Sequence, residues 1–432
     1  MKIITTSISA KEQLSKELLS KLNEFDADHG NHPLEGADIY YDSQYLRFYF
    51  TGVTEDSAKY EVLSFLRSQG FDIQLNQLYT SKYGSSVTVF LPISSLPKPS
   101  TTLESPNYTT LVYPDDFRST IPEQILRQAE HIVIKTPDYP DNFYSLLPNL
   151  KTAEILSGAK TVYGFARCEK LTTVFIQDGV RTIDENAFSS CTSLKSINIP
   201  SSITSIGDWA FYKCTNLTSI AFEENSHLTT IGEFAFSDCT SLHEIALPSS
   251  LEHIGENAFN QCDSLTGVYI SDIAAWFKIS FDNLSSNPLD YAQNLYLNNK
   301  LVTRLTVPST LKTMKNATFY NCTSLTSLVI ENGVENIGAS SFRSCSSLKS
   351  IEIPKSVKSI EDFSFSECDN LTAITIPNTV QELGYYVFSD CPKLEHITFT
   401  GTIKEWKDLA KGRDCFSHTV ELHCTDGTIN FK

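Results

Sequence analysis

The sequence predicts a right-handed α/β solenoid of 23-residue repeats, preceded by a small α+β domain. Three observations carry this expectation. The frame L-x-x-I-x-I-P-x-x-V-x-x-I-G-x-x-A-F-x-x-C recurs at residues 194–214, 217–239, 242–262, 325–345, 348–368 and 371–391. Its period is fixed: Cys168, Cys191 and Cys214 step by 23, as do Cys322, Cys345, Cys368 and Cys391. Self-similarity at this length marks stacked supersecondary units. Within each copy the periodicity then changes. The I-x-I half alternates as a strand does, whereas I-G-x-x-A-F-x-x-C puts apolar residues at three-residue steps, which suits a turn of helix or 3₁₀. Neither half buries its apolar side alone, and stacking joins them into one core.

Residues 1–95 do not repeat. The expected elements are a strand over 3–8, a helix over 10–25 capped by Ser9, strands over 38–41 and 45–50, a helix over 56–69 stopped by Gly70, and strands over 72–80 and 87–92. That order suits a small α+β sandwich of ferredoxin-like type. Residues 96–118 follow as a linker whose first part is rich in Pro, Ser and Thr. Residues 119–170 carry a capped helix, a strand over 131–134 and a degenerate repeat opening at Asn149-Leu150. They seal the open end of the core, as terminal repeats must.

Repeats over 171–400 are broken by an island at 271–301. The next strand begins at Val302, 37 residues after Leu265, so 14 are extra. The island is expected to bulge from the solenoid. Its Ile273-x-x-Trp276 recurs as Ile403-x-x-Trp406, and Leu295-Tyr296-Leu297 before Asn298-Asn299 recurs as Val420-Glu421-Leu422 before Asp426-Gly427. Both endings suit a hairpin with a tight primed turn. Residues 401–432 therefore read as a C-terminal cap.

Nine of the 11 cysteines sit in the repeat frame, each three residues after a Phe. Even spacing stacks them in a column, where their side chains point the same way, a poor geometry for disulfides. They read as buried thiols acting as small hydrophobes. Cys415 and Cys424 lie outside the column, and a bridge between them stays open. No C-x-x-C occurs, so zinc is not expected there. The DHGNHP loop, with Asp28, His29 and His32, lacks a scaffold and further ligands. No metal and no cofactor are expected.

The I-P-x-x-V-x-x-I-G-x-x-A-F-x-x-C frame resembles the BspA-type leucine-rich repeat, and the resemblance covers about residues 145–432. It implies an α/β leucine-rich repeat solenoid, curved and used for binding. Proteins of this family are common on the surfaces of gut and oral bacteria and in some mucosal parasites, often as adhesins. The doubled island and cap module is familiar from the same family.

The totals exclude several functions. With 34 basic and 51 acidic residues the formal net charge is −17. This disfavours nucleic acid and anionic membrane surfaces as partners. No apolar run is long enough to span a bilayer. The start, MKIITTSISAKEQL, does not read as a signal peptide, so the protein either stays inside the cell or has lost an export signal. No G-x-S-x-G elbow, P-loop or strand-linked G-x-G-x-x-G occurs, and no enzyme is expected.

Binding is expected on the concave, strand-lined face. Residues between the inward apolar positions point out there, and the candidates are Phe175, Asn198, Tyr269, Arg304, Glu352 and His396. Phe175 and Tyr269 are aromatic anchors unless the first packs on the N-terminal cap and the second on the island. The expected function is recognition of a protein ligand, such as a host extracellular protein, or of a glycan, by an adhesin-like surface or secreted protein. The competing expectation is an intracellular interaction scaffold.

Overall fold

The computed structural model describes residues 127–431 throughout and, before them, the backbone of six strands. The chain divides into two compact units, 1–107 and 108–432. In the first, five strands form one sheet in the order Ile3–Thr5, Asp38–Tyr41, Tyr45–Thr51, Ser86–Pro92, Tyr79–Tyr83. Ile3–Thr5 pairs parallel with its neighbour and the other pairs are antiparallel. The expected hairpin is present, with its first strand starting at Tyr79. The helices expected over 10–25, 56–69 and just after Ser119, through residue 126, and the DHGNHP loop, lie outside the described residues.

The second unit is a parallel β-solenoid of about 13 turns. It starts earlier than the repeats suggest. Thr110–Tyr113, read from sequence as linker, pairs in parallel with His131–Ile134. That strand pairs with Thr152–Ile155, which pairs with Thr173–Ile176. The I-x-I halves continue this first ladder as a series of short separate parallel sheets, from Ser196–Ile199 with Ser219–Phe222 to His396–Phe399 with Val420–Cys424. A second ladder uses only two residues per turn, as in Thr182–Ile183, Ser205–Ile206 and Thr230–Ile231.

The third side was expected to be a helical turn, and the structure refines this. In 186–191 the N–H groups alternate between two uses. Those of Asn186, Phe188 and Ser190 donate across to Asp208, Ala210 and Tyr212 on the next rung at 2.9, 2.7 and 2.6 Å. Those of Ala187, Ser189 and Cys191 turn back to Asp184, Asn186 and Phe188 at 3.2, 3.1 and 3.0 Å, in the i to i−3 pattern of a 3₁₀ turn. Every N–H is used, so this side can be stacked without stranding a polar group. The alternation needs left-handed φ at two positions per turn, 55° at Asn186 and 62° at Ser190. The sequence marks them poorly, since Trp209 and Lys213 hold the equivalent places in the next turn.

Two columns fill the interior. Phenylalanine rings from Phe165 to Phe259 stack at centroid distances of 5.2–5.5 Å, and Phe319 to Phe388 at 5.4–5.9 Å. The nine frame cysteines are buried free thiols. Their register explains the residue type. Cys214 Sγ donates to the carbonyl of Phe188 on the preceding turn at 3.2 Å, and Cys191, Cys239, Cys262, Cys345, Cys368 and Cys391 repeat this contact at 3.1–3.3 Å. Alanine would fit the volume but offer no donor. Cys415 and Cys424 are also free, so the bridge left open between them is not made.

The island does not bulge out as expected. Ser280–Phe281 pairs with His253–Ile254 in the second ladder, and Leu295–Leu297 pairs with Gly267–Ile270 in the first. Trp276 and Phe277 are buried where the phenylalanine column is interrupted, with Phe277 edge-on to Phe319 at 5.5 Å. The Trp276 indole donates to Thr318 O at 3.0 Å. The repeated module at the end behaves alike. Helix Ile403–Leu409 opens on a Thr402–Glu405 capping box and buries Trp406 beside Phe399 and Phe416.

Candidate recognition surface

The first ladder places outward side chains in two columns, two residues apart. Phe175, Asn198, Tyr269 and Glu352 occupy one. Arg304 and His396 occupy the other, in register with Ser327, Ser350 and Ala373. All six candidates therefore share one face, but they sit on six different strands and do not form one cluster.

Their surroundings separate them. Phe175 is half-buried beside Glu154, itself buried. Asn198 is engaged: its Nδ2 donates to Glu223 Oε1 at 3.0 Å, and the other oxygen of Glu223 accepts from the Ser201 N–H at 3.0 Å. Arg304 is exposed. Glu352 borders a shallow hollow of about 480 Å³ around Val329, an apolar side chain 53% exposed. His396 lies against the C-terminal cap, 3.0 Å from Glu421.

Tyr269 stands apart. It packs on the island, one of the two outcomes anticipated for it, through a ring-on-ring stack with Tyr296 at 4.6 Å and 9°. Its hydroxyl donates to Glu244 Oε1 at 3.1 Å. Partial burial, then this bond, raises its phenol above the ordinary pKa, so it stays a neutral donor. Both rings remain half-exposed. Gly267 makes room for them. A Cβ there would meet Tyr269 Cε2 at 3.0 Å and Tyr296 Cε2 at 3.1 Å, tighter than ordinary contact. Neighbouring strands carry Glu244 and Ser219 at that register.

Beside this platform lies a hollow of about 570 Å³. Its lining includes Ala246, Leu247, Pro248, Ile270 and Tyr269. Two departures from the repeat frame supply the rims. One is the loop around Glu223–Asn225, where the step from Cys214 to Cys239 is 25 rather than 23 residues. The other is the hairpin turn Asn298-Asn299, at φ 49° and 62°, the primed turn expected from sequence. Tyr296, Asn298, Asn299 and Glu223 were not among the sequence candidates. The signal for Tyr296 was available, because Leu295-Tyr296-Leu297 is an I-x-I half displaced by the insertion.

A parallel β-solenoid with a strand-lined face and a two-column core defines a repeat protein of the leucine-rich class. The family model for the BspA type leucine rich repeat region matches six copies over residues 161–287 and 292–422. The chain belongs to that family. Among solved structures it is similar to the pneumococcal vaccine antigen PcpA, at 22% identity over 64% of this chain and 67% of that one, with a TM-score of 0.42. It is also similar to a leucine rich cell surface protein from Faecalibacterium prausnitzii, at 22% identity over 65% and 86% of the two chains, with a TM-score of 0.36. A leucine-rich repeat protein from Bacteroides ovatus matches at 21% identity over 82% and 100%, with a TM-score of 0.35. No curated protein matches the chain.

Proposed function

We propose that the chain is a recognition protein without catalytic activity, which binds a protein ligand on the strand-lined, concave face of its solenoid. The binding centre is the Tyr269–Tyr296 platform with the adjoining hollow. The observation that carries this reading is Gly267: a glycine beside two half-exposed stacked rings keeps a flat aromatic surface open next to a hollow bordered by two frame insertions. Flat, rigid aromatics with a polar tip are the side chains that dominate binding interfaces. Glu223 and Glu244 make the surround of the platform acidic. That favours a ligand with basic or neutral polar groups, a host extracellular protein before a glycan. Family membership supports an adhesin-like role at a cell surface, and among the described residues no helix is long and apolar enough to cross a membrane.

The test is a panel of immobilised host matrix proteins and glycans, probed with the native chain and with Tyr269→Ala and Tyr296→Ala. The reading expects one saturable ligand whose binding drops at least tenfold in each variant, in line with the loss of a buried aromatic anchor. Equal binding by the native chain and both variants would place the contact elsewhere. Protease shaving of intact source cells tests the location, with release of the chain as the expected result. The free thiols favour a second reading, an intracellular scaffold, because reducing compartments keep cysteines unpaired. Full protection of the chain in shaved cells would select it.

A further inference from the structure

At the far end of the same face, the register of two strands assembles a set of metal-ligand side chains. Strand His396–Phe399 pairs in parallel with Val420–Cys424, so His396 stands opposite Glu421 and Thr398 opposite His423. Alternation along Val420–Cys424 buries Val420 and Leu422 and turns Glu421 and His423 outward, onto the side that carries His396. His396 Nδ1 lies 3.0 Å from Glu421 Oε2, and His423 Nε2 lies 3.5 Å from the same oxygen. The three ligand atoms are all within 4.8 Å of one another.

The other ring nitrogens make this more than a chance meeting of charges. A histidine that binds a metal through one nitrogen holds its second N–H against an oxygen, which fixes the tautomer. His423 Nδ1 lies 3.2 Å from Thr428 Oγ1, on the hairpin strand opposite it. His396 Nε2 has Glu395 Oε2 at 4.0 Å. The outer nitrogen of His423 meets a hydroxyl oxygen at hydrogen-bond distance, and the inner nitrogens of both rings converge on one carboxylate oxygen. We propose that His396, Glu421 and His423 bind one divalent transition-metal ion of the zinc class, with Thr428 orienting the His423 ring. Two imidazoles and one carboxylate suit Zn²⁺, Co²⁺ or Ni²⁺ and disfavour Mg²⁺ and Ca²⁺, which want oxygen alone. Bonds of about 2.0–2.2 Å require ligand separations of roughly 3.3 Å. The three side chains are 43–55% exposed, so their rotation can close the set. The same exposure leaves a further coordination position open to water or to a side chain of a bound partner. The proposal goes beyond the aromatic platform and does not depend on it.

Titration of the full chain with Co²⁺, followed by absorption, and with Zn²⁺, followed by calorimetry, tests this. The expected result is one saturable equivalent with a low-coordinate cobalt spectrum lacking sulfur-to-metal charge transfer. His396→Ala, His423→Ala and Glu421→Gln should each weaken binding at least tenfold. Thr428→Val should weaken it about tenfold, the usual scale for an orienting partner. His253→Ala, at a separate surface pair with Asp282, should leave it unchanged. The absence of a saturable site, a thiolate spectrum, or affinity indifferent to all three ligand substitutions would each overturn the proposal.

Discussion

Replacing Phe211 with alanine should open the solenoid locally, and its buried thiols provide the readout. Phe211 is fully buried, and the rings of Phe188 and Phe236 cover its faces at 5.3 and 5.2 Å. Removing such a ring costs about 3–5 kcal/mol. In a stack, stability is a sum of single-repeat and nearest-neighbour terms, so the loss falls mainly on the adjacent turns. At about 1.4 kcal/mol per decade, local opening rises roughly 100- to 5,000-fold. Cys191, Cys214 and Cys239 lie in those turns and are fully buried. Burial pushes the Cys214 thiol up to about 12 and raises the other two well above the ordinary range. Alkylation therefore waits for opening.

The assay is timed iodoacetamide labelling with peptide-level mass spectrometry. Cys424, half-exposed, should react first in both proteins. In Phe211→Ala the rates at Cys191, Cys214 and Cys239 should rise by the factor above, while Cys345, Cys368 and Cys391 keep their native rates. Equal acceleration at all six would show that the solenoid opens as one cooperative body and refute the nearest-neighbour argument. No acceleration would refute the role given to the stacked rings.

Three further outcomes are expected. Gly267→Thr should splay the tyrosine pair, changing the near-ultraviolet circular dichroism and weakening ligand binding, with little change in melting temperature because both rings are half-exposed. Ser190→Gly should stabilise the chain by roughly 0.5–1 kcal/mol in thermal unfolding, since a left-handed φ costs an L-residue about 1–2 kcal/mol and glycine returns part of that as entropy. Glu367 is raised by burial but more than offset by hydrogen bonds from Arg343 and Ser344, at 2.5 Å each, so its carboxyl titrates below the ordinary range. A depressed carboxylate stabilises above its unfolded value, about 4.3, and loses that contribution as pH falls through its folded value. Glu367→Gln should therefore destabilise the chain slightly at neutral pH, by no more than about 1 kcal/mol for so exposed a pair, with a correspondingly small drop in melting temperature, and the difference should shrink as the pH falls below the ordinary carboxylate range and the native carboxyl takes up its proton.

The interior was readable because the frame repeats it. A period of 23 residues names the phenylalanine and cysteine columns directly, since every turn must supply the same inward volume. The backbone of the third side was less so. Its left-handed positions hold Asn186 and Ser190 in one turn but Trp209 and Lys213 in the next, so no residue type advertises the conformation. The island was misjudged as a bulge because a 14-residue excess looks extruded. Its Trp276 and Phe277 nevertheless lie in the gap in the ring column, and its strands add one more rung to each ladder of the preceding turns.

The outward face follows a different logic. Nothing in the stack constrains an outward residue, so a column of them carries little information in a single sequence, and six candidates drawn from it scatter over six strands. What the columns cannot show is which residues from outside the frame arrive beside them. Tyr296 reaches Tyr269 from the island, the Asn298-Asn299 turn and the two-residue insertion near Glu223 wall the hollow, and His423 joins His396 from the cap. Each combination pairs a frame position with a residue from a frame break. A stack alone presents the same narrow strip on every turn, and only an interruption adds a wall, a second ring or a second ligand. In this chain the breaks are therefore the places where a uniform solenoid acquires distinct sites.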